Sequence, residues 1–92
     1  MIKGFADWNT EALFGRKPPK RFRPLAGVAL RKLLMLQAAS SLDDLKVPPG
    51  NRLEKLKGNR AGQHSIRIND RWRACFRWKG GDAHDVEIVD YH

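Results

Sequence analysis

Hydrophobic side chains recur at helical spacing between residues 24 and 39. They stand three or four positions apart, at Leu25, Val28, Ala29, Leu33 and Leu36. This pattern predicts one long amphipathic helix from about Pro24 to about Ala39. A small domain has few other apolar residues to bury, so we interpret these side chains as core and not as a cofactor or zipper stripe.

Shorter helical signals lie on either side. The run "DWNTEALFG" predicts one or two turns, with Asn9 or Thr10 as the N-cap and Gly15 as the stop. Ser41 is followed three positions later by Asp44, which indicates the start of a second short turn that ends at "VPPG".

The hydrophobic period changes to two in the second half of the chain. The runs "NRLEKLKG", "HSIRIN", "WRACFRW" and "DVEIVDYH" alternate apolar and polar residues, and Gly, Asn and Asp separate them. Short turns between neighbouring strands predict an antiparallel meander. With "MIKGF" as a short first strand, we expect one α+β domain over residues 1–92. An N-terminal strand and helices would pack on one face of a mostly antiparallel twisted β-sheet.

The segment 16–23, "RKPPKRFR", has five basic residues, two prolines and no acid. This composition disfavours both helix and central strand, so it predicts a flexible loop. The loop is either a solvated connector or a functional arm that contacts RNA or a protein partner.

Charge narrows the class of partner. Eighteen Lys and Arg against ten Asp and Glu give a net charge of +8, with a pI near 10.3. Such an excess attracts polyanions, so RNA, DNA or an acidic protein are expected partners and a membrane is not. No run approaches the roughly 18 apolar residues of a membrane span. Cys75 is the single cysteine, which excludes an internal disulfide and favours the reducing cytoplasm.

The strand alternation separates aromatic from basic side chains. On the face toward the helices it places Trp72, Phe76 and Trp78. On the opposite face it places Arg67, Arg73 and Arg77, beside Lys57 and Arg60 of the neighbouring turn. This face is typical of a phosphate-binding surface, although strand arginines can also simply keep a sheet edge soluble.

The last run carries an acid, a phenol and an imidazole at Asp90, Tyr91 and His92. Burial of Val86 and Ile88 would tie them to the sheet. His92 can exchange a proton near neutrality, Asp90 can orient a neighbour, and Tyr91 can stack on a base. Beside arginines, such a set suits RNA cleavage, because the 2′-hydroxyl is its own nucleophile and needs only a base, an acid and cations.

A metal site is not expected. The histidines His64, His84 and His92 are too scattered for zinc spacing, and a single cysteine does not complete such a site. Cys75 has no clear base partner, so we interpret it as a small strand residue and not as a nucleophile. We therefore expect neither a metal nor another cofactor.

The run "LKGNRAGQHSIRINDRWRACFRW", followed by "DYH", resembles the HigB-type toxins of the RelE/ParE toxin–antitoxin superfamily. The resemblance spans nearly the whole chain, though the first 40 residues match mainly in length and helix pattern. It implies a RelE-like fold and a ribosome-dependent endoribonuclease that cuts messenger RNA in the ribosomal A site without metal. The implied partner is a HigA-like helix-turn-helix antitoxin, through whose complex alone the toxin reaches operator DNA.

The resemblance also implies roles for single residues. It places in or near the active site Arg73, Asp90, Tyr91, His92 and Lys57. Family members often carry histidine where this chain has Glu54, so Glu54 is either the general base or a solvent-facing acid, with His92 the other candidate base. We pair Arg73, which would bind the phosphate, with His92 as the general acid. Expected RNA or ribosome contacts are Arg60, Arg67 and Arg77.

Two other functions fit the fold. A ParE-like toxin that inhibits gyrase would explain the architecture but gives no reason for "DYH". A basic RNA-binding or ribosome-binding module without chemistry would explain the charge alone. Codon-linked cuts in transcripts distinguish the nuclease from both.

Overall fold

The computed structural model describes residues 1–91, in which two α-helices and a four-stranded sheet are joined by short 3₁₀ helices. The α-helices are α1 (Trp8–Phe14) and α2 (Ala26–Ala38). The strands are β1 (Glu54–Lys55), β2 (His64–Arg67), β3 (Trp72–Lys79) and β4 (Asp82–Asp90). The 3₁₀ helices are Lys20–Leu25, Leu42–Lys46, Pro49–Asn51 and Gly58–Arg60. None of the helices in residues 1–91 has the length and apolar character that a bilayer span requires.

The sheet is the predicted antiparallel meander, in the order β1-β2-β3-β4. β1 is only two residues long, because it lies between the 3₁₀ helix that ends at Asn51 and the one that begins at Gly58. The register of β3 against β4 shifts between Cys75 and Arg77. Asp85, whose φ is 52°, lies in the extra length of β4 at this bulge.

The segment "MIKGF" lies along the outer edge of β4. Ile2 and Phe5 form isolated parallel bridges to Ala83 and Val86, and the Lys3 backbone N–H donates to the Ala83 carbonyl at 2.8 Å. The predicted first strand is therefore present as two bridges and not as a full strand. These bonds cover an edge that would otherwise be open to another chain.

Helix α1 ends at Gly15 as predicted, but its N-cap is neither Asn9 nor Thr10. Asp7 is the cap, because its extended backbone lets its carboxylate accept from the Thr10 N–H at 3.3 Å. The Thr10 hydroxyl is fully buried and accepts instead from the Ile88 N–H of β4 at 3.0 Å.

The prediction of a loop for residues 16–23 is wrong for residues 20–23, which belong to the 3₁₀ helix Lys20–Leu25. Phe22 is 1% exposed, and its ring meets the edge of Trp72 with centroids 5.5 Å apart. Burying a phenylalanine is worth about 1.5–3 kcal/mol. This gain orders a segment that its prolines and charges alone would leave irregular.

The helices pack on one face of the sheet, as predicted. From the helical half, the core receives Leu13, Phe22, Leu25, Leu33 and Leu36, and from the sheet Ile66, Ala74, Phe76, Val86 and Ile88. The predicted second short turn is the 3₁₀ helix Leu42–Lys46, and Ser41 with Asp44 forms the capping box at its start.

Replacing Thr10 by Val tests the bond between α1 and β4. Valine keeps the volume but leaves the buried Ile88 N–H without its acceptor, so the free energy of unfolding should fall by about 1–3 kcal/mol. Urea denaturation measures this change. Thr10→Ser keeps the hydroxyl acceptor, so its free energy of unfolding should fall less than that of Thr10→Val. Equal stability of Thr10→Val and the wild type would contradict the role given to this hydrogen bond.

Candidate functional site

The sheet face opposite the helices carries a row of side chains that crosses all four strands. The row follows from the register, since Glu54 lies opposite Ser65, Ser65 opposite Cys75, and Cys75 opposite Glu87. Ser65 and Cys75 are fully buried and Glu54 is exposed. We call this surface the open face; two small residues at its centre leave room for longer neighbours.

Arg73 lies across this centre and is held by hydrogen bonds. Its Nε donates to the Ser65 Oγ at 2.7 Å, and its Nη2 donates to the Arg52 carbonyl at 2.6 Å. Arg52 has a left-handed backbone, with φ of 45°, where the 3₁₀ helix Pro49–Asn51 ends. The Tyr91 ring lies 5.8 Å from the Arg73 guanidinium carbon, within the range of a cation–π contact. The structure thus brings the predicted Arg73 and Tyr91 together.

Cys75 is buried beneath charged neighbours. Arg60 lies nearby, and its Nη1 donates to the Glu87 carboxylate at 3.2 Å and to the Gln63 side chain at 3.1 Å. Burial raises the pKa of the Cys75 thiol, while the charges of Arg60 and Glu87 act on it in opposite directions. A protonated, enclosed thiol fits the interpretation of Cys75 as a small strand residue.

The predicted RNA-contacting arginines each have an acidic partner. Arg67 pairs with Asp70 at 2.5 Å, Arg60 with Glu87, and the exposed Arg77 lies 3.7 Å from Asp85. By contrast, Arg73 and Lys57 have no ion pair with any carboxylate in residues 1–91. Lys57 is exposed at the start of the 3₁₀ helix Gly58–Arg60, and Glu54 stands on β1 beside Ser65. Among the predicted active-site and RNA-contacting cations, the charges of Arg73 and Lys57 are therefore the ones left unpaired within residues 1–91.

Asp90 lies on the other side of the sheet. It is the cross-strand partner of Trp72, and its Oδ2 accepts from the Arg71 Nε at 2.8 Å and lies 2.7 Å from Nη2. The hydrogen bond to Asp90, and then its charge, raise the pKa of Arg71. The expected cluster is thus split between two faces, because adjacent residues of an extended strand point in opposite directions.

His92 lies outside the described residues, so its proximity to Arg73 stays a prediction. His64 faces the helix side, where its ring stacks on Phe76 with centroids 6.2 Å apart. Burial, and then the charge of Lys55, lower the pKa of His64. Within residues 1–91, no three His, Cys, Asp or Glu side chains gather as a metal site.

The sequence pattern did not predict the groups that hold Arg73 and Tyr91 in place. Ser65 could have been found, since alternation puts it beside Arg73. The Arg52 carbonyl and Arg71 had no signal, because a backbone acceptor and a turn residue carry no periodicity. A cavity of about 480 Å³ on the helix side was also missed; it is lined by Arg21, Pro24, Leu25, Asn69, Arg71, Trp72 and Asp90.

Known proteins resemble this chain in sequence. "Toxin HigB-1" of Vibrio cholerae serotype O1 is 51% identical over 53 residues, which cover 58% of this chain and 56% of that protein. "Endoribonuclease HigB" of Proteus vulgaris is 42% identical over 41 residues, 45% of each chain. The matches therefore span about half the length of these relatives.

Solved structures resemble it in fold. The YoeB-YefM complex from Staphylococcus aureus contains a chain that superposes with a TM-score of 0.59 at 22% identity, covering 100% of this chain and 95% of that chain. The model for the family described as "RelE-like toxin of type II toxin-antitoxin system HigB" matches residues 16–92. The chain belongs to this family of HigB-like toxins, and its helices and meander form the RelE-like fold.

Proposed function

We propose that this protein is a ribosome-dependent endoribonuclease that cuts translated messenger RNA on the open face. One observation carries the proposal. Arg73 is fixed by hydrogen bonds at the centre of that face, has no ion pair within residues 1–91, and has the Tyr91 ring against it. The name of the Proteus vulgaris relative, an endoribonuclease, supports the same activity.

The chemistry gives Arg73 its role. Attack by the 2′-hydroxyl on the neighbouring phosphate places extra negative charge on the equatorial oxygens. A guanidinium already held in place stabilises that charge without reorganising. Its Nε and Nη2 already donate to Ser65 and to the Arg52 carbonyl, so within residues 1–91 the Nη1 amino group is left to donate to a phosphate oxygen. Lys57 adds a second cation, Tyr91 stacks on a base, and no step of this chemistry requires a metal.

Two residues would move the protons. In the proposal His92 protonates the departing 5′-oxygen. Glu54 removes the proton of the 2′-hydroxyl, because it stands on the open face opposite Ser65, the residue that holds Arg73. A carboxylate on the same sheet face as Arg73 can act as the base while Arg73 holds the phosphate.

The remaining arginines would guide the RNA. Arg60, Arg67 and Arg77 surround the open face and are half-buried or exposed. Each can exchange its carboxylate partner for a phosphate, which conserves the number of ion pairs and releases counterions from the RNA. They therefore contribute to binding the mRNA or the ribosome and not to the chemical step.

We also propose a HigA-like helix-turn-helix antitoxin as the inhibitor. The structural neighbour from Staphylococcus aureus is a complex named YoeB-YefM, and this chain carries a charge of +8 that an acidic partner would complement. In this proposal the toxin acts in the cytoplasm and reaches operator DNA only through the antitoxin complex.

Replacing Arg73 by Ala should abolish codon-linked cuts in cellular transcripts. The phosphorane would lose its fixed cation, a loss that typically costs about 10²–10³-fold in rate. Primer extension after induction measures the cuts. The matched control is Arg31→Ala, which removes one exposed cation from α2 and should cut like the wild type.

Other outcomes would reject the proposal. Intact transcripts with DNA damage after induction of the wild type would favour gyrase inhibition. Tight ribosome binding with intact transcripts would favour a binding module without chemistry.

Replacing Glu54 by Gln tests the base. The amide keeps the shape but cannot take a proton, so single-turnover cleavage on translating ribosomes should slow by about 10²–10⁴-fold. Glu54→His, which restores a base of the kind common in the family, should recover part of the rate. Full activity of Glu54→Gln would assign the base elsewhere.

Ribosome affinity should fall steeply as salt rises, because each contact with a phosphate of single-stranded RNA releases condensed counterions and contributes a slope of about 0.7 on a double-logarithmic plot. Lys57→Ala should lower that slope by roughly one unit. Filter binding over a series of KCl concentrations measures both. An affinity independent of salt would contradict the phosphate contacts.

A further inference from the structure

The turn between β2 and β3 is bonded to the end of β4. The Arg71 carbonyl accepts from the Tyr91 backbone N–H at 2.6 Å. The Arg71 guanidinium bonds the Asp90 carboxylate through Nε at 2.8 Å, with Nη2 2.7 Å from the same oxygen. One turn residue therefore holds two consecutive residues, one through its backbone and one through its side chain.

Arg71 is itself held in place. The Asn69 Oδ1 accepts from the backbone N–H groups of Arg71 and Trp72, at 2.9 and 2.8 Å, which fixes the turn. The Arg71 guanidinium lies 5.3 Å from the Trp72 ring centroid, and Trp72 packs against Phe22 in the core. Arg71 thus connects the residues that follow β4 to a rigid part of the fold.

The side chains of Asp90 and Tyr91 point to opposite faces of the sheet. The bonds from Arg71 to these two residues therefore affect the direction of the Tyr91 ring. When Arg71 fixes Asp90 on the helix side and the Tyr91 backbone at the edge, the Tyr91 ring can only extend over the open face, where Arg73 lies. We propose that Arg71 is a positioning residue, which holds residues 90–91 so that the Tyr91 ring rests on Arg73. Its effect on RNA cleavage rests on the function proposed above.

The exposure of this ion pair separates positioning from stability. The Arg71 side chain is 59% exposed and that of Asp90 33%, and exposed ion pairs contribute little to the free energy of folding. Loss of the Arg71 guanidinium should therefore cost the fold little stability, while it releases Asp90, the residue before Tyr91, and leaves the backbone bond as the one contact of Arg71 with residues 90–91.

Nuclear magnetic resonance of Arg71→Ala measures that position directly. Tyr91 is the single tyrosine of the sequence, so its ring protons are identified without ambiguity. We expect an NOE between these protons and the Arg73 side chain in the wild type, its loss in Arg71→Ala, and its partial return in Arg71→Lys. Arg31→Ala removes an exposed arginine from another face and should keep the NOE.

Kinetics on translating ribosomes complete the test. If the Tyr91 ring is displaced in Arg71→Ala, kcat for RNA cleavage should fall about 10-fold to 100-fold, with little change in KM. Arg71→Lys should recover part of kcat, which a loss of fold stability alone would not explain.

The two proposals fail in different ways. An NOE that persists in Arg71→Ala overturns the positioning role, whatever the activity. An NOE that is lost while kcat stays at the wild-type value overturns the effect of this positioning on RNA cleavage. A wild type that cuts no RNA rejects the nuclease, yet the NOE still decides the role of Arg71. If Arg71→Ala does not fold, Arg71→Gln takes its place in the same measurement.

Discussion

Backbone hydrogen bonds run along both edges of β4. One edge pairs with β3, and the other bonds to residues 1–6 and to the hydroxyl of Thr10. A strand that would otherwise lie at the edge is thereby enclosed. Helix α1 is held against β4 because Thr10, which bonds to Ile88, belongs to that helix. Tyr91 directly follows β4, so the fixed strand places its N–H beside the Arg71 carbonyl. The constraint on β4 therefore links the helix layer to the open face.

The two faces of the sheet have different roles: one packs against the helices and the other carries the candidate site. The helices cover one face with apolar side chains, and the open face carries Arg73 and its charged neighbours, while the Arg71–Asp90 ion pair lies on the helix side at the end of β4. There, small buried residues at Ser65 and Cys75 let the long Arg73 side chain lie flat and bond to Ser65. Carboxylates offset the cations at the rim but leave Arg73 uncompensated within residues 1–91. A guanidinium that is fixed and uncompensated is prepared for a phosphate.

Periodicity predicted α2, the three longer strands and the face of Arg73 because each depends on a repeating burial pattern. It failed where one tertiary contact outweighed local composition: Phe22 orders half of a segment rich in charge and proline. It also treated Asp90 and Tyr91 as neighbours in one site, although strand alternation, applied through to residue 90, separates them. The contact of Arg71 with the Tyr91 N–H and that of Arg52 with Arg73 use backbone carbonyls, which every residue has, so residue types could not indicate them.

The chemistry of the cut end tests the central claim most directly, that the open face promotes attack by the 2′-hydroxyl. Messenger RNA fragments produced by the purified wild-type chain on translating ribosomes can be analysed for their 3′ termini by mass spectrometry. Our account predicts a 2′,3′-cyclic phosphate or the 3′-phosphate formed from it, with a 5′-hydroxyl on the downstream fragment. Fragments ending in a 3′-hydroxyl, with a 5′-phosphate downstream, would contradict it.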